Sequence, residues 1–311
     1  MLLAACGGGN EESGGEAGGN GEGLDTNIVT IATGGSSGPY NIIGTTLAET
    51  YSNEFGINSR TQTTGASVEN VNLMKEDKIE MAFTMSDVVS QAVEGTGNFD
   101  APIEKVNQIA ALYPNYVQVV TTADSGIETL SDLEGKRVAV GDQNSGVEVN
   151  ARNLLKGHGI TYDDLEVDYL GYAEAADGLR AGQLDAAFLT SGLPNASLLE
   201  LSESLDIRLV TIKQEDVEEI AQDQSYFVPM EIPADTYGNE EAVPTAAIMN
   251  ALIVREDMSE EDVYKLTKAF FENLDSLENS HQAASDISLE EAQEGLVAPL
   301  HPGAERYYNE Q

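Results

Sequence analysis

Ile28-Val29-Thr30-Ile31-Ala32-Thr33 is followed at once by Gly34-Gly35-Ser36-Ser37-Gly38-Pro39 and then by Tyr40-Asn41-Ile42-Ile43-Gly44. The first run is apolar and β-branched, so it reads as a buried strand. The Gly/Ser stretch breaks that pattern, and helical spacing takes over from Tyr40 to Ser52. Strand, small-polar loop and helix in this order open an α/β unit. The order recurs along the chain. Further β-rich runs occupy Ile57–Thr63, Glu80–Thr84, Tyr116–Thr122, Arg137–Val140, Glu166–Leu170, Asp185–Leu189 and Ile207–Ile212. Helical periodicity fits Ser67–Lys75, Asp87–Glu94, Val147–His158, Ala173–Ala181 and Asn195–Leu201.

Such alternation predicts mostly parallel sheets covered by helices on both faces. It restarts after Thr122, which predicts two units with a crossover near Val117–Thr122. A late strand at Thr245–Val254 and a helix over Val263–Leu277 suit a chain that returns to cover its first unit. Ser259-Glu260-Glu261-Asp262 and Ser288-Leu289-Glu290-Glu291 both read as capping-box helix starts. The expected fold class is therefore α/β and two-lobed. Residues 27–117 form lobe 1, residues 118–231 form lobe 2, and the return segment 232–311 completes lobe 1.

The 311 residues carry 54 Asp+Glu against 15 Lys+Arg, a formal net charge of -39. A nucleic-acid partner needs a basic footprint that these scattered cations do not supply, and adhesion to anionic lipid is disfavoured for the same reason. With 41% hydrophobic residues the chain still has a core to bury. A surface this acidic stays hydrated at high salt, so a salt-adapted or alkaliphilic source is expected. No apolar run approaches the roughly 20 residues of a membrane-spanning helix.

Leu3-Ala4-Ala5-Cys6 resembles the lipobox of bacterial and archaeal lipoproteins, which makes Cys6 the lipidated residue. Residues 1–5 are too short for a charged region plus an apolar core, so they read as the remnant of a leader that begins further upstream. Residues 6–26 read as a tether. Half of the residues from Gly7 to Leu24 are glycine, a coil with a reach of about 25 Å. The expected location is the outer face of the cell membrane, with membrane contact only through this anchor.

Five junctions place hydroxyls and glycine-freed N–H groups at helix starts: 33–40, 63–70, 84–87, 143–148 and 189–194. Such ends bind anions without Arg or Lys. In open α/β sheets they lie at the carboxyl ends of strands, where ligands sit. Together they predict an anionic small molecule held between two lobes.

Gly34-Gly35-Ser36-Ser37-Gly38 also satisfies the G-x-S-x-G pattern of a serine hydrolase, with His301 downstream. Ser/Gly-rich loops match that pattern easily, and nothing beside His301 orients it, so this is the weaker reading. His158, His281 and His301 share no metal-ligand spacing, and no Walker A or dinucleotide fingerprint appears. No cofactor or metal is expected.

The ordered set of loops resembles the TAXI-type solute receptors of TRAP transporters. The likeness runs through Ile31-Ala32-Thr33-Gly34-Gly35, Gly38-Pro39-Tyr40, Thr63-Thr64-Gly65-Ala66-Ser67-Val68-Glu69-Asn70 and Ser86-Asp87-Val88. It continues through Leu112-Tyr113-Pro114-Asn115-Tyr116-Val117-Gln118, Ser131-Asp132-Leu133-Glu134-Gly135-Lys136-Arg137-Val138, Ser145-Gly146-Val147-Glu148 and His301-Pro302-Gly303-Ala304. The chain departs from the pattern at Asn41-Ile42, at Ala66, where the family has Gly, and at Met85. The resemblance implies a non-enzymatic receptor that closes on a glutamate- or 2-oxoglutarate-like carboxylate and hands it to an ion-gradient-driven permease; a monomer is expected. A binding protein for an ATP-driven importer or a sensor kinase is the alternative. On this reading Ser36, Tyr40, Ser67, Ser86 and Asp87 face the cleft from lobe 1. Ser145, Gly146, Glu148 and Ser191 face it from lobe 2, with Tyr116 near the hinge.

Overall fold

A computed structural model describes residues 23–311. Cys6 and the residues read from the sequence as a leader remnant and a tether, up to residue 22, lie outside the described residues. The strands are β1 (Ile28–Ala32), β2 (Asn58–Gln62), β3 (Met81–Met85), β4 (Val106–Thr122), β5 (Arg137–Ala139), β6 (Glu166–Asp168), β7 (Ala186–Ser191), β8 (Ile207–Leu209), β9 (Val228–Ile232) and β10 (Val243–Arg255). The helices are α1 (Pro39–Phe55), α2 (Ser67–Lys75), α3 (Ser86–Glu94), α4 (Gly146–Gly157), α5 (Tyr172–Arg180), α6 (Ala196–Ser204), α7 (Gln214–Ile220), α8 (Glu260–Glu272), α9 (Leu274–Ser280) and α10 (Pro302–Asn309).

The sheet order is β2-β1-β3-β10-β4-β7-β5-β6. β1, β2 and β3 are parallel neighbours at one end, and β5, β6 and β7 at the other. Two long antiparallel strands join them. β10 pairs with β9 through Val243–Ala247 and with β3 through Asn250–Val254. β4 pairs with β7 through Tyr116–Thr121, and β8 joins its end.

Side chains alternate across each strand, and the apolar ones feed four cores. Val29, Ile31, Met81, Phe83, Leu252 and Val254 pack with α1, α8 and α10. Ala32, Ala82, Ala251 and Ile253 pack with α2 and α3 on the opposite face. In the other half, Val138, Ala186 and Phe188 meet α4 and α7, while Ala139, Ala187 and Leu189 meet α5 and α6. Helices therefore pack on both faces of each half-sheet.

Several elements differ from expectation. β4 starts ten residues earlier than the run at Tyr116, because Pro114 masks it in the sequence. Pro114 pairs opposite Met249 beside a register shift, which accommodates the missing N–H. Edge strand β9 and the charge-rich α7 carry too few apolar residues to stand out. The helix expected over Val263–Leu277 breaks at Asn273 into α8 and α9. Ser288 accepts the Glu291 N–H at 3.2 Å, yet only turns follow. At Ser259 the cap forms, with Oγ accepting the Asp262 N–H at 3.1 Å. The Asp262 carboxylate does not return to Ser259; it accepts the N–H groups of Asp25 (2.7 Å) and Thr26 (3.0 Å). Leu24 packs on the adjoining core, so residues 24–26, expected in the tether, are held to the body.

Candidate functional site

A cavity of about 310 Å³ opens between the two halves. Helix starts build its wall. Gly38, Ala66, Met85, Ser145 and Gly171, the residues immediately preceding α1 to α5, all line it. Each helix end presents N–H groups without intrahelical partners and about half a positive charge. In α2 to α5 the first turn holds an acid (Glu69, Asp87, Glu148 and Glu174) that offsets this charge, whereas α1 has none. The α1 end, wrapped by Gly34–Gly38, is therefore the least offset of the five, although Pro39 brings no N–H and the Asn41 N–H is bonded to the Gly38 carbonyl at 3.1 Å. Among the described residues no Lys or Arg lines the cavity.

Of the residues expected at the cleft, Ser36, Tyr40, Ser145 and Ser191 line it. Ser36 stands exposed at the lip. Ser145 Oγ accepts the Glu148 N–H at 3.0 Å, which leaves its proton free to donate. Ser191 is saturated: its hydroxyl accepts from Gln118 Nε2 (2.9 Å) and Asn195 Nδ2 (3.0 Å) and donates to the Gly192 carbonyl (3.1 Å).

The structure places Ser67, Ser86, Asp87, Tyr116, Gly146 and Glu148 outside the lining. Ser67 Oγ accepts the Met85 N–H at 3.1 Å behind the wall. Gly146 marks close approach of the halves, since a Cβ there would stand 2.8 Å from both Met85 Sδ and Ser67 Oγ. Glu148 turns away, accepting from Tyr162 at 3.0 Å and pairing with Arg152 at 3.4 Å. Ser86 is buried in the first turn of α3, and half-buried Tyr116 lies where β4 pairs with both β7 and β10. Asp87 is fully buried and accepts from Asn150 Nδ2 of α4 at 2.8 Å. Burial, outweighing hydrogen bonds from the Val88 N–H and Asn150, pushes its carboxyl up to about 7. It thus bridges α3 and α4.

Sequence reasoning missed the junction Leu170-Gly171-Tyr172-Ala173-Glu174, which forms one wall. Its signal, a strand run ending in Gly before a helix, is present but lacks hydroxyls. The junction 189–194 to which the sequence pointed reaches the cavity through Thr190 and Ser191, whereas Gly192, Leu193 and Pro194 are not among the lining residues. Also missed were Asn115, hidden by Pro114, and Asp142. Burial first, and then the charges of Glu174 and Glu69, raise the Asp142 carboxyl above its usual range.

His301 does not meet Ser36. It caps α10, with Nδ1 accepting the Gly303 N–H at 3.2 Å and Nε2 lying 3.1 Å from the Met258 carbonyl oxygen. Among the described residues no histidine lines the cavity, so the residues for a Ser–His pair are not assembled there.

Among solved structures the fold is similar to that of a protein from Bordetella bronchiseptica RB50, with a TM-score of 0.56 and 19% identity over 92% of this chain and 83% of that one. It is similar to a structure described as a periplasmic transporter (TM-score 0.56, 13% identity, 91% and 92% covered). It is also similar to the binding-protein component of an ABC phosphonate transporter from Pseudomonas aeruginosa (TM-score 0.53, 14% identity, 85% and 80% covered). At these identities the likeness is one of fold. The family comes from the sequence: a model described as the NMT1-like family matches residues 31–311, from within β1 to beyond the end of α10. With that match added to the sheet order and the central cleft, the chain belongs to the NMT1-like family and has a periplasmic-binding-protein-like fold.

Proposed function

We propose that the protein is an extracytoplasmic solute receptor that captures a small organic anion between its halves and delivers it to a membrane permease. The observation that carries this reading is the convergence of five helix starts on one cavity without a catalytic pair. The α1 end receives the ligand carboxylate, and the Ser145 hydroxyl and the Gly171 end complete the grip from the opposite half. The lobes meet along β4 near Val117 and along β10 near Ile248. Contacts from both exist only when they close, and that difference drives closure. Asp87–Asn150, at 2.8 Å, is one such contact without the ligand.

The cleft loops favour a TRAP-type permease and a carboxylate ligand. The Pseudomonas neighbour's description favours the second reading, delivery to an ATP-driven importer. Lipidation at Cys6 would hold the receptor at the outer membrane face in either case. Thermal unfolding of the full chain against carboxylates and amino acids, at low and at multimolar salt, tests the receptor reading. A ligand at 100 times its Kd stabilises by about 2.7 kcal/mol. No stabilisation by any of them in folded protein refutes it. Uptake into vesicles carrying either permease type, driven by an ion gradient or by ATP, separates the two deliveries.

A further inference from the structure

The cavity wall contains an acceptor whose orientation the surrounding hydrogen bonds fix. Asn250 on β10 donates its amide N–H to the Tyr113 carbonyl oxygen at 2.8 Å, so its Oδ1 faces the other way. Tyr40 of α1 donates its hydroxyl proton to that Oδ1. Having given its proton, the Tyr40 oxygen can only accept, and Asn115 Nδ2 on β4 donates to it at 3.4 Å. All three side chains are buried. Burial, more than the nearby Tyr113, Tyr172 and Asp87, pushes the Tyr40 phenol up, so the proton stays in place.

The far end of this chain is unmatched. Asn115 is 2% exposed, lines the cavity, and its Oδ1 has no hydrogen-bond partner. Thr190 Oγ1, on the β7 side of the same cavity, is equally buried and unpartnered. A buried acceptor left without a donor carries a desolvation penalty, and a site built to bond a substrate O–H or N–H rejects analogues that lack it.

We infer that Asn115 selects, within the proposed anion site, ligands that carry an O–H or N–H donor near the carboxylate. This rests on the receptor reading and narrows it to 2-hydroxy or 2-amino acids over 2-oxo acids. Asn115 makes the contact. Tyr40 acts through Asn115 as a positioning residue, because its oxygen stops the amide from turning over.

Matched trios test this on the full chain by calorimetry: alanine, lactate and pyruvate, then glutamate, 2-hydroxyglutarate and 2-oxoglutarate. The amino or hydroxy member of a trio should bind at least tenfold more tightly than its oxo partner. Asn115→Leu should erase that ratio. Tyr40→Phe should lower it by strengthening oxo-acid binding, since the freed amide can turn its NH2 group to the ligand; a merely structural role would weaken every ligand alike. Oxo acids binding as tightly as their partners, or a ratio that survives Asn115→Leu in folded protein, overturns the inference alone. No binding by any member of either trio overturns the carboxylate-receptor reading, and the inference falls with it.

Discussion

Two buried polar systems cross the middle of the molecule and solve the same problem in opposite ways. The Asn250–Tyr40–Asn115 chain is neutral, and its unmet oxygen, Asn115 Oδ1, is buried on a residue that lines the cavity. The Asp87–Asn150 pair is ionisable, lies outside the cavity lining, and leaves one oxygen unmet on each partner. A ligand can satisfy the first. A proton on Asp87 supplies the one donor that the second lacks. Buried polar groups stabilise a fold only when every member is satisfied, so the first system depends on ligand and the second on pH.

The largest expected effect breaks the second system. Asp87 titrates at about 7 in the folded protein against an ordinary value of 3.8. A folded pKa above the unfolded one contributes stability that is complete below about pH 4 and is lost as pH rises toward 7. By pH 8 the loss is about 4 kcal/mol. Asp87→Asn keeps the shape without the charge, so urea unfolding should find the variant more stable at pH 8, with the gap closing toward pH 4. A gap independent of pH would mean that Asp87 is not the titrating group.

Breaking the first system should cost less and show no pH dependence between 4 and 8. Asn250→Ala strands the Tyr40 proton and removes the bond to Tyr113, a loss of about 2–3 kcal/mol in chemical denaturation. If that loss tracked pH, the two systems would be coupled and the contrast between them would fail.

The smallest effect comes from the cleft wall outside both systems. Ala66, the residue before α2, has φ 78° and ψ -141°, a backbone region that suits glycine. Its Cβ stands 3.3 Å from where a Cβ on Gly34 would sit. Ala66→Gly should therefore raise stability by about 1 kcal/mol, read as a small increase in melting temperature. A decrease would place the strain elsewhere.

Much of this was legible in the sequence. The Gly/Ser-rich turn before α1 and the alternation of apolar strands with amphipathic helices pointed to the α/β class. Ser145-Gly146-Val147-Glu148 announced its helix start, and the cap it forms accepts the Glu148 N–H. The same patterns over-counted the site. Ser67, Asp87 and Glu148 have polar side chains at the right junctions, but each is turned to a protein partner. Gly171 and Asn115 had no polar-loop signature at all, yet both line the cavity.

What the sequence determined by itself is local: where strands and helices begin, because periodicity and capping act over about ten residues. Which of those beginnings share a cavity was decided by long-range pairing. β4 meets β10 from Val106 opposite Arg255 to Tyr116 opposite Ala247, bringing Asn115 beside Tyr40 and Asn250. The direction in which Asn115 presents its oxygen depends on three side chains drawn from distant parts of the chain, and only the packed fold sets all three at once.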